Sequence, residues 1–242
     1  MSSSSSSTSS WKHIPYETPS SPITAPFPYS PNDLESMDNS PDTFFYSQPR
    51  FVTHIDDQAI QGLRTYFGEV LPTSKGSKIL DLCTSWISHY PSSVEKAVED
   101  GNVEVYGIGM NRAEMEKNDI LKGRFQVKDL NQDPQIIGIP EDGELLDSTT
   151  CTVSIDYITK PIEVLSNIRE ITKSNGNIHL IISNRCFPTK VVKPWLNLSE
   201  NQRLKLVGDY LAWSGWRDIE ILVIKDGRRS DPLWVVRGAK GD

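Results

Sequence analysis

No stretch of the 242-residue chain approaches the roughly 20 apolar residues that a membrane helix requires, so no helical bilayer span and no membrane partner are expected. The start of the chain has neither the apolar core of a secretory signal nor the arginines of a mitochondrial presequence, which leaves the cytoplasm as the expected location. Basic charge is short as well. Against 32 acidic residues stand 25 Lys and Arg, a net charge of -7, and that balance speaks against a protein whose work is gripping nucleic acid. The one dense basic cluster, Lys225 to Arg229, is interrupted by Asp226 and Gly227 and reads as a hairpin tip. Cysteine is confined to Cys83, Cys151 and Cys186, far apart and odd in number. No CxxC or Cys/His spacing accompanies them, so they read as reduced thiols, with no metal expected.

What is present suits a globular domain of ordinary size, with 37% hydrophobic and 24% charged residues. Residues 1–48 open with a serine run and continue through prolines from Pro15 to Pro41. Such a segment buries too little apolar surface within itself to offset its ordering entropy, so it is expected to be a disordered tail. Its aromatics are nonetheless able to dock part of it on the domain or a partner, and Phe44-Phe45-Tyr46 followed by Pro49-Arg50-Phe51 is the stretch expected to be ordered.

Residues 49–242 alternate helical and strand patterns. Asp56 and Asp57 open a helix carrying Ile60, Leu63, Phe67 and Val70, and Pro72 stops it. Strands are predicted at 77–82, 103–108, 125–130, 150–155 and 177–183, with helices between them. One of those helices starts at Pro161 and is expected to be capped by Gly176. Ser199 with Gln202 forms the pattern of a capping box for a last helix. Strands 219–224 and 233–236 close the chain, and their short connection makes that pair antiparallel. The predicted fold is α/β: a doubly wound, Rossmann-like, seven-stranded, mostly parallel sheet with one antiparallel strand and helices on both faces. In such a sheet ligands bind outside the carboxyl ends of the strands at the topological switch point.

The alternation from Ile79 to Val236 resembles the class I S-adenosylmethionine-dependent methyltransferases, and within them the type 11 group related to the ubiquinone-biosynthesis C-methyltransferases. The block from Cys151 to Pro188 carries the resemblance best, with ITKSNGN in place of the group's vLkpGG-like turn and SNRCFPTK following the fifth strand. It implies S-adenosyl-L-methionine as cofactor and a small molecule as methyl acceptor. Cofactor contacts would fall on Asp81, Cys83 and Thr84 after the first strand, Gly109 and Asn111 after the second, Asp129 and Leu130 after the third, and Ser154 after the fourth. Asp129 matches the acid that accepts from the adenine amine.

Two departures stand out. The loop Asp81-Leu82-Cys83-Thr84-Ser85-Trp86 has no glycine, and Gly109 stands where the group places an acid for the ribose hydroxyls. Asn111 reads as a weaker ribose contact or as a helix N-cap. Asp156, Tyr157 and His89 are candidate catalytic groups for moving an acceptor proton. Asn184 and Arg185, leaving the fifth strand, suit an anionic acceptor, while Trp86 and Phe187 suit its apolar part. Each has a plainer role available: a turn cap for Asp81 and Asp129, a loop strut for Arg185, core packing for the aromatics. The alternative function is a non-catalytic scaffold with Trp86 plugging the cleft. A dinucleotide-dependent oxidoreductase is a third reading, disfavoured because no GxGxxG follows the first strand.

Overall fold

The computed structural model describes residues 11–19 and 26–242. In chain order its elements are β1 (Lys12–Ile14), α1 (Asp42–Phe45), α2 (Asp57–Val70), β2 (Ser77–Leu82), α3 (Ser92–Glu99), β3 (Val103–Gly109) and α4 (Arg112–Met115). There follow β4 (Phe125–Val127), β5 (Leu146–Thr152), α5 (Pro161–Glu170), β6 (Thr172–Ser183), α6 (Glu200–Trp213), β7 (Arg217–Lys225) and β8 (Leu233–Ala239). The sheet order is β1-β7-β8-β6-β5-β2-β3-β4. From β4 through β6 all neighbours are parallel, and β8 runs against both β6 and β7. This is the expected doubly wound sheet with its one reversed strand. The eighth strand, β1, was not expected; it pairs antiparallel with the edge of β7.

Local chemistry explains where the helices begin. The Asp56 carboxylate accepts from the Ala59 amide (2.8 Å), and the Ser199–Gln202 capping box is formed. Side chains alternate across the strands, so that the sheet feeds two cores. Ile79, Val105 and Val235 join Leu63, Tyr66 and Phe67 of α2 and Val94 of α3 on one face. Leu80, Tyr106 and Val236 join Val164 and Leu165 of α5 and Val207 and Leu211 of α6 on the other. His179, inside β6, is buried and shares a 2.8 Å hydrogen bond with the Tyr66 hydroxyl. Gly176 does not cap α5, which ends at Glu170; it lies within β6 beside Asn175, which adopts a positive φ of 62°.

The expected disordered tail differs most from what is observed. Residues 1–10 and 20–25 lie outside the described residues, but 11–19 and 26–48 lie against the domain. Tyr16 donates to Asp209 of α6 (3.0 Å), and Phe27 packs on Tyr210 and Trp213 at 6.1 and 5.9 Å between ring centroids. Lys190, buried after β6, forms 3.1 Å ion pairs with both Asp38 and Asp42. Phe27 and Phe45 pack both on neighbours within the segment and on the domain, while Phe44 stays exposed, and composition alone does not register the gain from the domain's surface.

Candidate functional site

β2 and β5 lie side by side at the centre of the sheet, and the chain winds outward from them in opposite directions. At their carboxyl ends opens a cavity of about 650 Å³, within the range of small-molecule clefts. Its walls are the loops after β2 to β6, and residues 46–56 border it as well.

The glycine-free loop after β2 folds around Asp81. That carboxylate, 3% exposed, accepts from the hydroxyls of Thr84 (2.5 Å), Ser88 (2.7 Å) and Thr150 (3.3 Å). Burial pushes its pKa up to about 6 against the pull of those three donors. Asn118 ties the loop further, donating to Ser88 (2.9 Å) and to the Ser85 carbonyl (3.0 Å). Cys83 takes the left-handed turn a glycine would favour, at φ 57°. The small residue the loop lacks stands across from it instead: a Cβ at Gly109 would collide with the Thr84 carbonyl oxygen. Gly109 is therefore a packing requirement of this loop.

Asn111 caps α4, its Oδ1 accepting from the Glu114 amide (3.2 Å) while its Nδ2 donates to the Tyr46 carbonyl (2.8 Å). Both ends of its amide are engaged, so the capping alternative describes it. The carboxylate that does face the cavity after β3 is Glu114, which the sequence reading missed. It accepts from the Ser85 hydroxyl and the Arg50 amide, each at 2.6 Å. Its signal was available, an acid three residues beyond Asn111. Asp129 and Leu130 line the cavity, and Asp129 Oδ1 also accepts from the Asn131 amide (2.9 Å). Asn131, likewise unforeseen, joins Asp42 (3.0 Å) and the carbonyl of Tyr157 (2.9 Å).

Ser154, Tyr157, Arg185 and Phe187 line the same cavity. Tyr157's hydroxyl accepts from the Phe187 amide (2.9 Å), and Arg185 Nε donates to Asp231 (2.9 Å). His89 also lines it, with its Nδ1 buried and without a hydrogen-bond partner. Burial, then the charges of Arg64 and His54, bring its pKa down to about 4. Trp86 stands in the wall without filling the cleft, because its indole N–H donates to the Val52 carbonyl (3.0 Å).

Two expected site residues are not brought together with the rest. Asp156 is 4% exposed and absent from the cavity lining; burial pushes its pKa up to about 7. The short helical turn Ile155–Tyr157 sends Tyr157 to the cavity wall and Asp156 into the packed interior. Asn184 stands at the bend where the chain leaves β6 and lines, with Ser183, a separate small pocket of about 30 Å³ against α6.

No protein-family model matches the sequence, and comparison with curated proteins returns no match. Solved structures do match. The chain aligns with the N-methyltransferase NodS from Bradyrhizobium japonicum WM9 at TM-score 0.51 and 11% identity, over 77% of this chain and 99% of that one. A protein from Listeria monocytogenes described as an S-adenosylmethionine dependent methyltransferase aligns at TM-score 0.50 and 12% identity, over 75% of this chain and 99% of the other. The described residues contain no helix long and apolar enough to cross a membrane. With the strand order, the reversed β8 and these alignments together, the chain has the fold of the class I S-adenosylmethionine-dependent methyltransferases.

Proposed function

We propose that the chain transfers a methyl group from S-adenosylmethionine to a small-molecule acceptor in this cavity. The observation that carries the reading is the open cleft at the switch point, with Asp81, Glu114 and Asp129 on its strand-end side and Trp86 held in its wall. That set of acceptors fits the ligand's chemistry: carboxylates accept from an ammonium group, ribose hydroxyls and an exocyclic amine. A plugged cleft would have favoured the scaffold alternative.

When bound, the cofactor supplies an electrophilic methyl group. Asp81 keeps the loop 83–88 folded back on β3, which holds the cavity open above the strand ends. Glu114 takes the ribose-facing role that Gly109 and Asn111 leave vacant. Asp129 accepts from the adenine amine, and Leu130 offers that ring an apolar wall. Ser154 and Tyr157 border the place where the acceptor would meet the methyl group, and Phe187 packs against Tyr157 at 5.9 Å. Acceleration then comes mainly from holding donor and acceptor in line. His89, neutral at physiological pH, is the candidate proton acceptor for an acceptor hydroxyl or amine.

Calorimetric titration of the full chain with S-adenosylhomocysteine tests the reading. Micromolar binding is expected, weakened about tenfold or more by Asp129→Ala through loss of one charge-assisted contact. Undiminished binding by that variant would remove Asp129 from the site, and no binding at millimolar ligand by the folded protein would remove the reading.

A further inference from the structure

Several carboxylates and three cations, Lys128, Arg185 and Arg50, line the cavity. Two of those cations are already neutralised: Lys128 by Asp133 (2.7 Å) and Arg185 by Asp231 (2.9 Å). Arg185 was the expected anchor for an anionic acceptor, and this pairing leaves it poorly placed for that role.

Arg50 is different. It lines the cavity half-buried and takes part in no ion pair among the described residues. Its guanidinium lies 4.4 Å from the Phe45 ring centroid and 5.3 Å from that of Phe187. One nitrogen donates to the Phe45 carbonyl (3.0 Å), and the residue's own amide is pinned to Glu114 (2.6 Å). Aromatic faces and a single carbonyl orient a guanidinium, but they do not saturate its five donors or its charge. An arginine held rigid, partly dehydrated and without a counter-ion at the wall of a ligand cavity is prepared for an anion.

We propose that Arg50 anchors an anionic group of the methyl acceptor, a carboxylate or a phosphate, whose planar or apolar body lies against Tyr46, Tyr157 and Phe187. This inference rests on the methyl-transfer reading and names the acceptor class for it. The aromatic lining supports a compact organic acid over a bare inorganic anion.

The test uses the full chain saturated with S-adenosylhomocysteine, titrated with benzoate, phenyl phosphate and the neutral benzamide. One of the two anions is expected to bind at least about tenfold more tightly than benzamide, and which one it is separates carboxylate from phosphate. Arg50→Ala is expected to abolish that preference while keeping S-adenosylhomocysteine affinity within about twofold; Arg50→Lys, which keeps the charge without the fork, is expected to retain part of it. Retained cofactor-product affinity also shows that the variants fold. Equal binding of anion and amide, a preference that survives Arg50→Ala but not Arg185→Ala, or no anion binding at about 10 mM would each overturn the inference while leaving the cofactor site standing. Failure of the wild type to bind S-adenosylhomocysteine would instead remove the reading beneath it.

Discussion

Asp81 and Asp156 show how much neighbouring hydroxyls decide for a buried carboxyl. Both are almost fully buried, yet Asp81 collects three hydroxyl donors and rises only to about 6, whereas Asp156 rises to about 7. A carboxyl raised on folding contributes stability that is fully present below its unfolded pKa and is lost as pH rises through its folded one, here about 7 for Asp156. Asp156→Asn removes that titration. Its melting temperature is therefore expected to gain on the wild type between about pH 4 and about pH 7, while S-adenosylhomocysteine affinity stays within about twofold because the residue lies off the cavity. Parallel melting curves at every pH, or a large loss of affinity, would show that Asp156 acts elsewhere than described.

At this scale sequence reading succeeds where one side chain meets its own backbone. The caps Asp56, Asn111 and Ser199 follow from local rules, and each forms as such rules require. It does less well where the partner is distant. Nothing beside Gly109 announces the Thr84 carbonyl against it, and nothing beside Arg185 announces Asp231.

Among elements, β2, β3 and β6 to β8 are legible because each holds a compact apolar run or alternation between turn residues, whereas β5 is Leu146–Thr152, ahead of the expected 150–155, because LDSTTCT carries little apolar signal. β1 has three residues in polar surroundings and exists through backbone pairing with β7, a contact that composition does not encode. The segment of residues 38–56 is legible in its aromatics alone. Lys190 holds it down, its side chain 1% exposed between Asp38 and Asp42. Lys190→Ala should free the segment without unwinding the sheet. Hydrogen exchange is expected to quicken about tenfold or more in residues 38–50, with β2 and β5 unchanged; unaltered exchange in the segment would show that Lys190 does not hold it.

Considered whole, the molecule is a doubly wound sheet whose preceding chain completes it. Residues 12–16 lengthen the sheet edge and reach α6, residues 27–29 cover α6, and residues 46–56 border the cleft. Removing residues 1–36 is therefore expected to lower the melting temperature by roughly 5 °C or more, since apolar contacts with Tyr210 and Trp213 are lost. A purely disordered tail would leave the melting temperature where it was. The fold was readable from strand and helix periods, but the closing of the site was not, because the segment that closes it is fixed by partners far away in sequence, Asn111, Glu114 and Lys190.

The central claim is that the cleft above β2, β3 and β5 is a cofactor site despite its glycine-free loop. A crystal structure of the full chain grown with S-adenosylhomocysteine tests it most directly. The account predicts the ligand in this cleft, its adenine beside Asp129 and Leu130 and its ribose facing Glu114. A cleft left empty at saturating ligand, or closed by an inward turn of Trp86, would contradict the account and return the protein to the scaffold alternative.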